Sequence, residues 1–196
     1  MVPDNRTFSW NAGLLKKDHM VFHRTNKSAG TYFFNLLLAN DWKEIQEHEI
    51  DELDHHFGII LDPYQRRAKA ITERIFMANQ QSRIDDAEFL RLIEDACVLD
   101  EHMIPYSTQF KDVPRLTLFP LIKTHNIVTV ITEFLAQYNI TLLLKNIDAH
   151  ESNSEKLNVH NKVYAKLKWG VFEHVFKEDI LLYEETLKNF INTCKK

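Results

Sequence analysis

Cysteine is scarce: Cys97 and Cys194 are the only two in 196 residues, and they lie far apart. Two such thiols make neither a disulfide framework nor a zinc spacing, and they fit a reducing compartment. Long apolar runs are missing as well. The longest, at 117–122 and 142–144, are strand-sized, far short of the ~20 residues a membrane helix needs. The opening stretch MVPDNRTFSWNAGLLKKDH has no apolar core of signal-peptide length. Positive charge is not in excess either. Lys and Arg number 24 against 28 Asp and Glu, a net charge of −4, which gives no general attraction to nucleic acid or an anionic membrane. No internal repeat, low-complexity tract or Gly-x-x-x-x-Gly-Lys-Ser/Thr loop occurs, and the last absence disfavours a conventional nucleoside-triphosphate kinase. The expectation is a soluble, cytoplasmic protein with no nucleic-acid or membrane partner.

What is present is ordinary globular composition, 44% hydrophobic and 27% charged, enough to build one sizeable core. The whole chain, 1–196, is expected to be a single domain. Met20–His23 is a short apolar run that leads into Arg24-Thr25-Asn26-Lys27-Ser28-Ala29-Gly30-Thr31. The largely apolar Tyr32–Leu38, interrupted only by Asn35, follows. This pattern predicts a strand, a phosphate-sized loop and a buried helix ending near Asn40. Phe57–Leu61 predicts a second buried strand. Asp62-Pro63 then supplies an N-cap and a first helical residue, opening a helix to about Asn79. Further helices are predicted over Asp85–Leu99, Val128–Tyr138 and Trp169–Cys194, and strands over Leu116–Ile122 and Ile140–Leu144. Glu101–Asp112 and Asn146–Leu157 read as loops. Strands alternating with helices imply an α/β fold on one mainly parallel sheet.

The loop after the first strand carries the most chemistry. Free N–H groups and the positive dipole end at a helix N-terminus favour an anion. Gly30 permits close backbone approach, Lys27 adds a full charge, and Ser28 and Thr31 add hydroxyl donors. The same composition also makes a plain surface turn, and both readings stand on residues alone. His102 reads either as a base titrating near neutral pH or as a surface histidine, one of ten. His48, His55 and His56 lie among Glu47, Glu49, Asp51, Glu52 and Asp54 in no standard metal spacing, so no metal is expected. The aromatic run Tyr32-Phe33-Phe34 reads as helix core.

Four segments in order resemble the PAPS-dependent sulfotransferases, PAPS being 3′-phosphoadenosine 5′-phosphosulfate. His23–Thr31 resembles that family's 5′-phosphosulfate loop, with Asn26 where proline is usual. Leu61-Asp62-Pro63-Tyr64-Gln65-Arg66 resembles the family's Arg-Asp/Asn-Pro-Tyr-Glu-Arg element, which grips the 3′-phosphate. His102-Met103-Ile104-Pro105 is similar to the His-Trp-x-Pro-Gln stretch of the carbohydrate branch. Leu144-Lys145-Asn146 is similar to that branch's Pro-x-x-Asn segment. The resemblance covers about 20–185 and implies a three-layer, P-loop-NTPase-like sulfotransferase architecture. It further implies PAPS as donor, adenosine 3′,5′-bisphosphate as product and a hydroxyl acceptor, a carbohydrate or small molecule, with no metal.

Residue by residue, the resemblance makes Lys27 the group that stabilises the leaving phosphate and His102 the base. It puts Asn26, Lys27, Ser28, Ala29, Gly30, Thr31 and Tyr32 around the 5′-phosphosulfate and Arg66 at the 3′-phosphate. The family's usual arginine and serine at that phosphate are replaced by Leu61 and Lys69. Lys69 lies three residues after Arg66 on the predicted helix, on the same face, and is expected to compensate. Lys166, Lys168 and Gly170 faintly resemble a late basic stretch of the soluble enzymes. The departures at Leu61 and Tyr106 keep open a nucleotide-binding member without turnover. A nucleoside or nucleotide kinase on a related fold is the other alternative.

Overall fold

The two apolar runs that precede the glycine-lysine loop and the Asp62-Pro63 junction pair side by side. In the computed structural model, which describes residues 13–77, 104–144, 154–169 and 173–194, β2 (Met20–His23) runs parallel to β4 (His55–Ile60). On the outer side of β4 lies β5 (Leu116–Pro120), also parallel. On the other side of β2 lies β1 (Leu14–Lys17), antiparallel, and then β3 (Lys43–Ile45), antiparallel to β1. The sheet order is β3-β1-β2-β4-β5.

With two parallel and two antiparallel pairings the sheet is mixed, not mainly parallel as the alternating pattern implied. The cause is local. β1 and β2 are joined by the two residues Asp18 and His19, with Asp18 at φ 52°, so β1 must return antiparallel.

Six helices accompany the sheet among the described residues: α1 (Gly30–Leu38), α2 (Pro63–Met77), α3 (Tyr106–Gln109), α4 (Ile127–Ala136), α5 (Ser154–Trp169) and α6 (Glu173–Cys194). No described helix is long and apolar enough to cross a membrane. Strand alternation sends Phe22, Phe57, Ile59 and Phe119 to one face, where Phe33, Leu37, Ile131 and Leu135 of α1 and α4 cover them. Ile60, Leu116 and Leu118 point to the other face, onto Tyr106, Phe110, Leu182 and Tyr183 of α3 and α6. A separate apolar seam joins α2 to α5 through Ala68, Ile71, Ile75, Val163 and Leu167.

The helix start at Asp62-Pro63 behaves as expected: the Asp62 carboxylate accepts from the Gln65 N–H at 2.8 Å. Three segments differ from the sequence reading, the first being the expected loop Glu101–Asp112, inside which Tyr106–Gln109 forms α3. Ile140–Leu144 forms no strand, because the Asn40 amide takes its backbone groups. Leu143 N–H donates to Asn40 Oδ1 at 2.7 Å, and Asn40 Nδ2 donates to the Leu143 carbonyl at 3.0 Å. The supposed loop Asn146–Leu157 gives way to α5 from Ser154. The helix expected over Asp85–Leu99 lies outside the described residues.

Candidate functional site

Between β2 and α1 the chain makes a tight crossing. Lys27 and Ala29 both adopt left-handed backbone, φ 64° and 59°, a conformation that costs a non-glycine residue about 1–3 kcal/mol and persists only where its surroundings hold it. Those surroundings are visible. The Thr25 hydroxyl donates to the Ile59 carbonyl, Arg66 Nε donates to the Asn26 carbonyl at 3.3 Å, and Gln109 Nε2 donates to the Arg24 carbonyl at 3.0 Å. Ser28 is wholly buried and its hydroxyl is paired with that of Tyr106, which also accepts the Leu61 N–H at 2.9 Å. Arg24 donates to the Thr31 hydroxyl at 3.1 Å. Ala29 caps α1 without a side-chain bond, so the first N–H groups of that helix lack intrahelical acceptors.

A side chain at Gly30 would put its Cβ 2.2 Å from the Thr25 carbonyl oxygen, a backbone atom that cannot swing aside. Gly30→Ala is therefore expected to lower stability by about 1–3 kcal/mol through forced backbone shift, read as a drop in denaturant midpoint. An unchanged midpoint would mean the loop is not held as described.

Beyond the loop lies a cleft of about 610 Å³ between α2 and α5. Lys27 reaches it from the loop, and Gln65, Lys69 and Glu73 reach it from one face of α2. Lys156, His160, Asn161 and Tyr164 enter from α5, and Lys123 from the segment after β5. Lys27 Nζ donates to Glu73 Oε2 at 2.6 Å, and Lys156 Nζ lies 3.5 Å from the same oxygen. The Lys27 hydrogen bond, with Lys156 assisting, holds the Glu73 carboxyl below its ordinary pKa against the opposing effect of burial. Burial, and then Lys27, push the Lys69 ammonium below its own ordinary range. Burial and the Lys69 charge likewise lower His160, partly opposed by a hydrogen bond with the Ala68 backbone. The cleft is thus lined by four lysines, two of them paired with one carboxylate, and by the His160 imidazole.

The expected site residues divide. Lys27 and Lys69 meet in this cleft, and the backbone of Ala29, Gly30, Thr31 and Tyr32 begins α1 next to it in the chain. Arg66 does not line the cleft. It is 1% exposed, with its guanidinium 4.2 Å over the Tyr106 ring and 3.9 Å from Asp179. Asn26 offers its carbonyl to Arg66, and Ser28 turns inward to Tyr106. Lys168 stands 4.9 Å over the Tyr64 ring. His102, Lys145, Asn146 and Gly170 lie outside the described residues. Sequence reading missed Glu73, Lys123, Lys156, His160 and Asn161. Glu73 is four residues from Lys69 and could have been found from helical spacing. The α5 residues were hidden by reading their N-terminal part as loop.

A second polar cluster lies within the sheet. His23 Nε2 and His56 Nδ1 are 2.8 Å apart and share one hydrogen bond, both rings buried. Burial, assisted by His56, lowers the His23 pKa to about 3. His56 is lowered by burial too, against the pull of Asp54. Asp54 itself is buried and bound by Lys16 Nζ at 2.6 Å. Among the described residues no group of three or more His, Cys, Asp or Glu is placed to hold a metal ion. No protein-family model, curated protein or solved structure matches this chain.

Proposed function

We propose that the lysine cleft binds the phosphates of a 3′-phosphorylated adenosine nucleotide and that the chain is a sulfotransferase moving the sulfuryl group of PAPS to a hydroxyl. One observation carries this reading. Lys27 follows β2 and Lys69 follows β4, two adjacent parallel strands, and both ammonium groups line one cleft. Lys27 of the first segment of the resemblance and Lys69, three residues beyond the second, thus line one cleft, each from a segment that follows a parallel strand, and open α/β sheets bind ligands beyond the carboxyl ends of such strands. A P-loop-like architecture is the finer reading of this mixed α/β sheet.

In the transfer, the S–O bond to the bridging phosphate oxygen breaks as a new S–O bond to the acceptor oxygen forms. The acceptor's proton passes to a base. Charge accumulates on the leaving phosphate, where Lys27 neutralises it, as in phosphoryl transfer. Lys69 meets the 3′-phosphate as a point charge. The resemblance gives the base to His102. His160 is the described imidazole in the cleft, and its lowered pKa keeps it ready to accept a proton at neutral pH.

A second reading, nucleotide binding without turnover, is favoured by Arg66 and Ser28. Both are positions the resemblance assigns to phosphate, and both are engaged in internal contacts.

Calorimetric titration tests the reading. Lys69→Ala should weaken adenosine 3′,5′-bisphosphate about 10- to 150-fold, the worth of one charge-assisted contact. It should leave adenosine 5′-phosphosulfate, which lacks the 3′ group, within a few-fold. Lys27→Ala should cut any sulfuryl-transfer rate at least ~100-fold. Binding of ATP–Mg²⁺ in preference to the bisphosphate would replace the proposal by a kinase. Bisphosphate binding with no transfer to any hydroxyl would replace it by the second reading.

A further inference from the structure

The cleft's lysines are not waiting bare for an anion. One oxygen of Glu73 already occupies Lys27, at 2.6 Å, and is shared with Lys156 at 3.5 Å. A carboxylate oxygen at hydrogen-bond distance from an ammonium sits where a phosphate or sulfonate oxygen would have to sit. Glu73 can leave that position. Its side chain is 39% exposed, whereas that of Lys27 is 16% exposed, so the carboxylate is the partner with solvent to turn into. Glu73 is also on α2 with Lys69, one helical turn along, so an incoming ligand that bridges Lys27 and Lys69 must pass it.

We propose that Glu73 is a built-in competing anion that sets how many lysines a ligand must engage to enter the cleft. Its one negative charge is shared between Lys27 and Lys156. A ligand binds Lys27 only by displacing it, which costs the ligand the energy of the broken pair and leaves a carboxylate near its own negative groups. An anion that reaches a single lysine does not recover that cost. One that engages Lys27 together with Lys69, Lys123 or Lys156 does, because several charge-assisted contacts form for the one that is lost. The cleft therefore selects anions long enough to span several lysines, such as a diphosphate or a nucleotide with two separate phosphate groups, over single carboxylates, sulfate or monophosphate. This deepens the nucleotide reading by naming what rejects weaker anions, and it rests on that reading only for the identity of the organic part.

The test uses inorganic pyrophosphate as a probe that needs no adenosine site, alongside adenosine 3′,5′-bisphosphate. With Glu73→Gln, which keeps shape and removes charge, pyrophosphate should bind roughly tenfold more tightly by calorimetry. Inorganic sulfate, too weak to displace Glu73 in the native protein, should become measurable. Thermal melting checks that the variant is folded, and Glu73→Ser is read in its place if it is not. A gain for pyrophosphate with no bisphosphate binding by either protein leaves the competing-anion role standing and overturns the nucleotide reading. Pyrophosphate binding that is unchanged, weaker or undetectable in both the native protein and the variant overturns the role of Glu73, whatever the nucleotide does.

Discussion

Asp179→Ala is expected to destabilise the protein by about 3–5 kcal/mol, because it strands a buried guanidinium. Asp179, on α6, is 2% exposed. Its Oδ1 accepts from the Ser107 N–H and the Ser107 hydroxyl, each at 3.1 Å, and its Oδ2 lies 3.9 Å from Arg66 Nη1. With the carboxylate gone, Arg66 keeps the Asn26 carbonyl and the face of Tyr106 but loses its counter-charge. Breaking one member of a buried pair costs more than removing both. The double variant Arg66→Met, Asp179→Leu should therefore recover a large share of the loss. Urea titration of the two single variants and the double measures the coupling. A single-variant loss below about 1 kcal/mol, or losses that simply add, would show the pair to be solvated and unimportant.

Acid should unfold this protein earlier than its carboxylates alone would. The His23 pKa is lowered to about 3 by burial and by His56, while an unfolded histidine titrates near 6.5. Between those values the unfolded chain holds a proton that the folded chain refuses, so each fall in pH favours unfolding. The stabilising contribution is complete above about pH 6.5 and declines by about 1.4 kcal/mol per unit on the way down. From pH 6.5 to 4.5, above most carboxylate titration, the loss is roughly 3 kcal/mol from His23. His56, also lowered by burial, adds in the same direction. His23→Gln keeps a polar partner for His56 but cannot titrate, so its stability should fall less steeply by about one proton over that window. Equal slopes for wild type and variant would remove His23 from the acid response.

Much of the parallel half of the fold is legible in the residues. Met20–His23, Phe57–Ile60 and Leu116–Pro120 are short, apolar and bounded by turn or helix-start signals, and each forms a strand. The antiparallel half is not. β1 and β3 are three or four residues long, and Lys16, Lys17 and Lys43 interrupt their apolar character. Their pairing comes from the Asp18-His19 turn, which lacks the Asn-Gly or Asp-Gly signature of a two-residue hairpin. α5 hides for a different reason. Its core face is a narrow stripe, Val159, Val163 and Leu167, in an otherwise polar helix, and such a stripe has meaning only once α2 is there to receive it. That helix carries half of the cleft, so Lys156 and His160 were missed together. Lys27 and Lys69, which line the cleft, stand out in the sequence because their neighbours resemble a known pattern. The inward turn of Ser28 and Arg66 depends on Tyr106 and Asp179, distant in sequence, and no local signal could have announced it.

The Tyr106 hydroxyl ties together two loops that lead from neighbouring strands, meeting Ser28 on one side and the Leu61 N–H on the other, from a ring that is wholly buried. For the Lys27 loop to open, that bond must break between two buried hydroxyls, which costs their desolvation. The loop is thus denied the cheap local fluctuations usual for surface connections, and its amide protons should exchange on the slow timescale of the core strands. A ligand arriving at Lys27 meets a backbone that is already ordered and spends little of its binding free energy on freezing it. The adjustable element in the proposed encounter is the Glu73 side chain, which turns by side-chain rotation alone, so exchange of the internal anion for an external one asks no movement of the chain.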